Sequence, residues 1–268
     1  MIKYYTRACN FKYGPTAKNL IKVKKALPLC GNKNISFDQI EIITRGQKKI
    51  YSKVINLKKI NTLSGALRNK VRKDLKNITS KRKNFLHNID FAKPSIMGIL
   101  NLTPDSFSDG GKFNKNSKSL KHTKEMILSG ADIIDVGGES TRPGSKTVPQ
   151  EIEWKRVKFV ISRFKKKYKK TCLSIDTRKS DLMTKGIKHG VDLINDVSGF
   201  NYDVNSLEKL KKYNIAKVLH HMQGTPDTMQ KNPSYKNVLL DIYDYFEKKI
   251  KKKFDNKKII LDPGIGFG

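Results

Sequence analysis

Six short apolar runs, each ending in a cluster of polar or acidic residues, constrain the fold more than any other feature of this sequence. They are Ser95 to Leu100, Asp132 to Val136, Cys172 to Ile175, Asp192 to Ile194, Ala216 to Leu219 and Lys258 to Leu261. Each is too short for a helix and is bounded by turn or polar residues, which predicts buried parallel strands. Helical patterns lie between them: around Leu120 to Ile127, from Ile152 to Phe164 after Pro149, from Ser180 as N-cap to His189 with Gly190 closing, and over Val238 to Phe254. Strand alternating with helix predicts an α/β fold with a parallel sheet. The polar clusters at the strand ends are Asn101, Asp135 with Gly137–Gly138–Glu139, Asp176, Asn195–Asp196, His220–His221 and Asp262. Functional groups on the carboxyl end of strand after strand predict a (β/α)8 TIM barrel. A doubly wound sheet would gather them at one switch point. A closed barrel has eight strands and typically about 250 residues. The six counted here predict a barrel that is incomplete at its C-terminal side.

Residues 1–93 read differently. They are Lys-rich and aperiodic, with strand-like runs at Ile40 to Thr44 and Ile50 to Ile55 and a helical stretch from about Thr62 to Leu75. The expectation is a small α+β N-terminal extension of unassigned role, meeting the barrel domain (94–268) at Lys93–Pro94, where proline disfavours helix in the residue before it. The net charge is +32, of which residues 1–93 carry +19. Such a balance fits an anionic substrate or a nucleic acid. Lys outnumbers Arg by 47 to 9, however, and Arg is the residue that base-edge readout prefers. A basic nucleic-acid-binding protein is therefore carried only as the alternative from another class. No run approaches the length of a membrane span, and the first residues lack the apolar stretch of a secretory signal. Cys9, Cys30 and Cys172 match neither a zinc spacing nor a disulfide framework. A cytoplasmic protein is expected.

Three constellations carry chemistry. The first, Met97–Gly–Ile–Leu–Asn101–Leu–Thr–Pro–Asp105–Ser–Phe107–Ser–Asp109–Gly–Gly111, ends a strand in a polar loop. It reads as a mobile lid with a hard-cation oxygen ligand at Asn101, or as an ordinary polar turn. The second is Val136–Gly–Gly–Glu–Ser140–Thr141–Arg142–Pro143–Gly144. Its hydroxyls and guanidinium suit phosphate oxygens, although Gly-Gly and Pro-Gly are also common turn formers. The third is distributed over Asp176, Asn195 and Asp262. Any one of these could be a helix cap. Three on different strands of one barrel would face the same mouth, where two carboxylates and an amide can pair with the edge of a flat aminopyrimidinone ring.

Taken together, the three clusters resemble those of the dihydropteroate synthases, folate-pathway members of the pterin-binding barrel family, over Ser95 to Gly268. The opening region, with Tyr4–Tyr5, Gly14–Pro15, Ala26–Leu–Pro–Leu29 and Phe37–Asp38, is similar to an extension found on alphaproteobacterial members. The resemblance implies a transferase that joins 4-aminobenzoate to (7,8-dihydropterin-6-yl)methyl diphosphate, releasing diphosphate and giving 7,8-dihydropteroate. It implies that Asn101 holds Mg2+ against the diphosphate. Asp176, Asn195 and Asp262 bind the pterin, with Val197 and Phe267 as apolar walls. Thr141 and Arg142 bracket the diphosphate and the incoming amine, with Arg142 and Asp109 as catalytic groups. Phe107 and Pro143 line the aminobenzoate pocket, which makes the family a sulfonamide target. The family is commonly homodimeric, so a homodimer is the expected form of a full-length protein.

Two departures from the family pattern stand out. Family members usually carry Met where His220 stands in Val218–Leu–His–His–Met–Gln–Gly224. Adjacent strand residues point to opposite faces, so His220 and His221 are not expected to form a metal site. The family's Lys after strand seven and its Ser-x-Arg-x-His after strand eight have no counterpart in these residues, so the 268-residue chain is expected to be inactive alone. The alternative within enzymes is a pterin-binding methyltransferase, which shares the Asp/Asn set but has no need of the Thr141–Arg142 loop.

Overall fold

The computed structural model describes residues 2–103, 112–140, 145, 147–254 and 258–267, without the side chains of 112–115, 252 and 253. The chain divides into two compact units, Met1–Lys83 with Phe91–Lys93, and Asn84–Asp90 with Pro94–Gly268.

The first unit is built on an antiparallel sheet. Strand β1 (Lys3–Tyr13) leads through helix α1 (Gly14–Lys22) and the short β2 (Leu27–Leu29) to β3 (Asn32–Arg45) and β4 (Ile50–Asn56). β1 pairs with β3 from Lys3↔Arg45 to Tyr13↔Ile35. Residues 32–37 of β3 pair with β2 and residues 39–45 with β4, so those two strands share its other edge. A 3-10 turn (Leu57–Thr62) then leads to α2 (Gly65–Thr79), whose Val71 and Leu75 pack on Phe37, Ile40, Ile42 and Ile55. The helix expected from Thr62 starts later because Asn56 accepts a hydrogen bond from Lys58 N and tightens the preceding segment into 3-10 form. β1, α1 and β2 were not foreseen. The burial of β1 alternates poorly along its length, and it carries polar residues on both faces.

In the second unit strand and helix alternate as expected: β5 (Met97–Asn101), α3 (Lys112–Leu128), β6 (Ile133–Gly137), α4 (Gln150–Lys167), β7 (Cys172–Asp176), α5 (Ser180–Lys188), β8 (Leu193–Asp196), α6 (Ser206–Lys211), β9 (Ala216–His220), α7 (Val238–Lys253) and β10 (Ile259–Asp262). The six strands form one parallel sheet in unbroken chain order. Sequential order without a switch point is the arrangement of a (β/α)8 barrel. Two strands start one residue later than expected, after Asp132 and Asp192. These two turn their carboxylates onto the amides of Ile96 and Leu173, 2.9 and 2.8 Å away, beside their own backbone bonds to the neighbouring strand.

Residue alternation divides the two faces of this sheet. Leu100, Ile134, Val136, Leu173, Ile175, Ile194 and Leu219 point to the helices. There they meet Val157, Val160, Ile161 and Phe164 of α4, Met183 of α5, Leu210 of α6 and Phe246 of α7. Burying each such side chain contributes about 1.5–3 kcal/mol. The opposite face carries Asn101, Asp135, Gly137, Ser174, Asp176, Asn195, His220 and Asp262.

Helix ends follow the charges. α4 has Glu151 and Glu153 in its first turn and Lys165, Lys166 and Lys167 in its last, matching the helix dipole. Asn237 caps α7 through Leu240 N. Ser180, expected as the N-cap of α5, is its first helical residue. Lys179 holds the cap position, and the amide of Ser180 is satisfied by the Asp203 carboxylate at 2.9 Å. Gly190 does close that helix, at φ +90°. Among the described residues no helix is long and apolar enough to cross a membrane, and the three cysteines are free.

Candidate active site

Strand register brings most of the polar strand ends to one level. Asn101, Gly137, Asp176, Asn195 and Val218 are lateral partners across β5 to β9. His220 and Asp262 pair at the next level of the same face. Gly137 leaves a gap in this row. A Cβ there would lie 3.3 Å from Asp176 Oδ2 and 3.4 Å from Asn101 Oδ1, so both polar atoms border the space that the glycine vacates.

Below the row, Asp135 Oδ2 accepts a hydrogen bond from Asn195 Nδ2 at 2.8 Å, across the intervening β7. That bond fixes the amide and leaves Asn195 Oδ1 as a buried acceptor with no protein partner. Asp135 Oδ1 and Ser174 Oγ are buried and unmatched as well. Buried polar atoms without partners are uncommon and call for water or a ligand. Burial raises the Asp135 carboxyl above its ordinary range, and the nearby Ser174 hydroxyl and the Asn195 amide offset only part of this. Asp176 is pushed up well beyond that range, first by burial and then by the negative charges of Asp135, Asp196, Glu153 and Glu139. A ligand that brings N–H donors or positive charge to this face would relieve both groups.

At the next level one oxygen of Asp262 accepts from Gly264 N at 2.9 Å and holds the following turn. The other, Oδ2, lies 3.9 Å from His220 Nε2. Phe267 meets the His220 ring edge-on, with centroids 4.7 Å apart. Val197 is buried beyond the end of β8. Asn101, Asp176, Asn195, Asp262, Val197 and Phe267 are thus all located. Phe107, Asp109, Thr141, Arg142 and Pro143 lie outside the described residues.

A buried ionic group beside the site was not assigned a role from the sequence. Glu139, directly after Gly137–Gly138, binds Arg178 through Oε1 and Lys179 Nζ through Oε2, the latter at 2.5 Å. Lys179 also pairs with Glu153 of α4. Glu139 Oε2 additionally accepts from Val148 N at 2.9 Å. Burial would raise the Glu139 carboxyl, but its bonds to Lys179, Val148 and Arg178 outweigh that and hold it low. Burial dominates at Glu153, which sits high. The available signal was opposite charge at the ends of neighbouring strands, Glu139 after β6 and Arg178–Lys179 after β7.

His220 and His221 point to opposite faces. His221 packs among Tyr235, Tyr245 and Phe246. Among the described residues no group of three His, Cys, Asp or Glu side chains could hold a metal. Asn101, exposed at its strand end, is the hard oxygen donor of the row. One neutral amide oxygen suits a small divalent cation that keeps its waters and binds chiefly through phosphate oxygens.

The sequence profile of the pterin-binding enzymes matches residues 97–268. The chain belongs to this family. The dihydropteroate synthase of Clostridium beijerinckii is 47% identical over 177 residues, covering 65% of this chain and 63% of that protein. The dihydropteroate synthase of Yersinia pestis, solved with a sulfonamide drug, superposes with a TM-score of 0.60 at 40% identity, over 67% of this chain and 66% of that one. That of Burkholderia cenocepacia, complexed with 7,8-dihydropteroate, gives 0.58 at 35%, over 67% and 61%. The chain therefore spans just under two thirds of the length of these relatives.

Proposed function

We propose that the protein is a dihydropteroate synthase. The reaction joins the amine of 4-aminobenzoate to the methylene carbon of (7,8-dihydropterin-6-yl)methyl diphosphate. The carbon–oxygen bond breaks and its electron pair leaves with diphosphate. The amine lone pair forms the new carbon–nitrogen bond, and the nitrogen then loses a proton. The observation that carries this reading is the row Asn101–Gly137–Asp176–Asn195, with its vacant level at Gly137 and its unmatched polar atoms.

In this reading Asp176 and Asp262 accept hydrogen bonds from ring N–H donors and Asn195 Oδ1 accepts another, while Val197 and Phe267 wall the ring. Cationic character develops on the pterin as the leaving group departs, and the acidic groups of β6 and β7 stabilise it in a site sheltered from water. Asp109 acts on the same charge from the lid. Thr141 and Arg142 bracket the diphosphate, and Phe107 and Pro143 form the aminobenzoate pocket. The relatives solved with a sulfonamide drug and with 7,8-dihydropteroate support these ligand classes. Asn101 is the residue that would hold Mg2+, which neutralises charge on the departing diphosphate. No side-chain nucleophile is required, because positioning and electrostatics supply the acceleration.

The test is diphosphate release by the complete gene product on mixing the pterin diphosphate with 4-aminobenzoate. Release dependent on both substrates, lost in Asp176→Ala, is expected. Methyl transfer from a folate donor, with no diphosphate formed, would overturn the proposal in favour of a pterin-binding methyltransferase.

A further inference from the structure

The inner face of β9 ends in a histidine, and its setting connects it to the acid that shares its level. His220 is 3% exposed. Its ring is held between the edge of Phe267 and the backbone of Gly264, where a Cβ would approach His220 Cε1 to 3.1 Å. Nδ1 is buried with no hydrogen-bond partner. Nε2 faces Asp262 Oδ2 at 3.9 Å, too far for a hydrogen bond yet close enough for strong attraction once the ring is charged. Since Asp262 Oδ1 is engaged by Gly264 N, Oδ2 is the oxygen left for a ligand. We infer that His220 competes with the bound pterin for Asp262: the neutral imidazole leaves Oδ2 to the ring, and the imidazolium takes it.

This inference rests on the proposed role of Asp262 in holding the ring. The imidazolium also opposes turnover, because it places positive charge beside a heterocycle that becomes cationic as the leaving group departs.

The groups around His220 act in a consistent direction. Burial pulls its titration below the ordinary histidine value, and Asp262 and the Val197 carbonyl restore only part of the loss. His221, the residue just after β9, is itself held low by burial and by His220. From α7, the Tyr245 hydroxyl donates to the His220 carbonyl at 3.1 Å, and burial raises that phenol to about 12, so it stays neutral. From β8, Asp196 turns its carboxylate into its own loop, onto Ser198 and Phe200. Asp262 is thus the acidic partner facing the ring. At neutral pH the ring is uncharged and the site open, and acidification closes it.

The experiment is calorimetric titration of 6-hydroxymethylpterin into the complete gene product between pH 5 and 8. Wild-type affinity is expected to fall as pH drops, with His220 contributing up to about tenfold per pH unit, the limit for one linked proton. His220→Met and His220→Gln should each lose that contribution and keep only the dependence due to the buried carboxylates. Identical pH profiles in wild type and both variants would overturn the inference while leaving the pterin site intact. Absence of pterin binding at every pH would overturn the proposed function and this inference with it. If both variants misfold, the assigned Cε1–H resonance of His220 in the wild-type protein decides. Its titration midpoint moves to lower pH on adding the pterin if the ring competes for Asp262, and an unchanged midpoint refutes the competition.

Discussion

Asn195 on β8 and Asp135 on β6 are joined across β7 by a 2.8 Å hydrogen bond from the Asn195 amide to Asp135 Oδ2. The bond sets which end of the amide faces the site, since a free Asn side chain could present its NH2 group instead. Replacing Asp135 with Asn removes that discrimination, because an amide partner can donate as well as accept. Asp135→Asn is expected to fold and to bind a pterin probe about 10- to 100-fold more weakly, the scale of one misdirected buried hydrogen bond. Calorimetric titration measures the affinity, and unfolding by urea checks that stability is kept. An unchanged affinity would mean that Asn195 is oriented by something other than Asp135.

Glu139 offers a different kind of test, because it gathers a buried ionic group without bordering the gap at Gly137. Removing its charge strands Arg178 in a buried setting and leaves Lys179 only its pairing with Glu153, and breaking a buried pair in this way costs about 3–5 kcal/mol. Glu139→Gln is expected to lose stability on that scale in urea unfolding. It should also speed amide exchange at Val148, whose N–H the Glu139 carboxylate accepts. Glu153→Gln should cost less, since Glu153 pairs with one cation, Lys179, among the described residues and its carboxyl already sits high. Equal losses for the two variants would contradict the central position given to Glu139.

The difference between what was and was not legible in the sequence has a physical origin. Strands buried on both faces are written as short continuous apolar runs, as in β6 to β9, and the flanking β5 and β10 keep the same pattern; the polar residue ending each run marks the site. β1 carries Lys3, Tyr5, Arg7 and Cys9 on one face and Tyr4, Thr6 and Ala8 on the other, so no period of two emerges. The Glu139 network escapes for another reason. Its partners lie 39 and 40 residues away, and nothing local to Glu139 distinguishes a buried ion pair from a solvated loop charge. The face of His220, by contrast, follows from strand alternation alone, and so does its separation from His221.

Asp196 gives a pH dependence with a definite sign. Burial raises its carboxyl from 3.8 to about 6, against the hydrogen bonds from Ser198 and Phe200. An acid whose folded pKa exceeds its unfolded one gains a proton on folding, so its contribution favours the native state less as pH rises from 3.8 to 6. The penalty is complete above that window and absent below it. Asp196→Asn removes the titration whatever else it changes. The stability difference between variant and wild type should therefore shift in the variant's favour by about 2 kcal/mol from pH 4.5 to pH 7.5. Urea unfolding at the two pH values gives this double difference. A shift of opposite sign would show that Asp196 is ionised at low cost in the native state.

Gly137 and Gly138 are neighbours with opposite duties, and alanine at each separates the site from the scaffold. At Gly138 a Cβ would lie 2.8 Å from the Glu153 carbonyl and 3.0 Å from Val157 Cγ1, so α4 has to move. Overpacking of this kind costs about 1–3 kcal/mol. Gly138→Ala is expected to lower the urea midpoint by a corresponding amount. At Gly137 the nearest atoms are Asp176 Oδ2 and Asn101 Oδ1, at 3.3 and 3.4 Å, two side-chain ends that can give way by a few tenths of an ångström. Gly137→Ala should stay within about 1 kcal/mol of wild type. Its methyl group fills the level that the proposed function assigns to the pterin and its diphosphate, so affinity for the pterin probe should fall by at least about tenfold. If Gly137→Ala unfolds the protein while leaving residual binding unchanged, the gap between Asn101 and Asp176 belongs to the scaffold and not to a ligand.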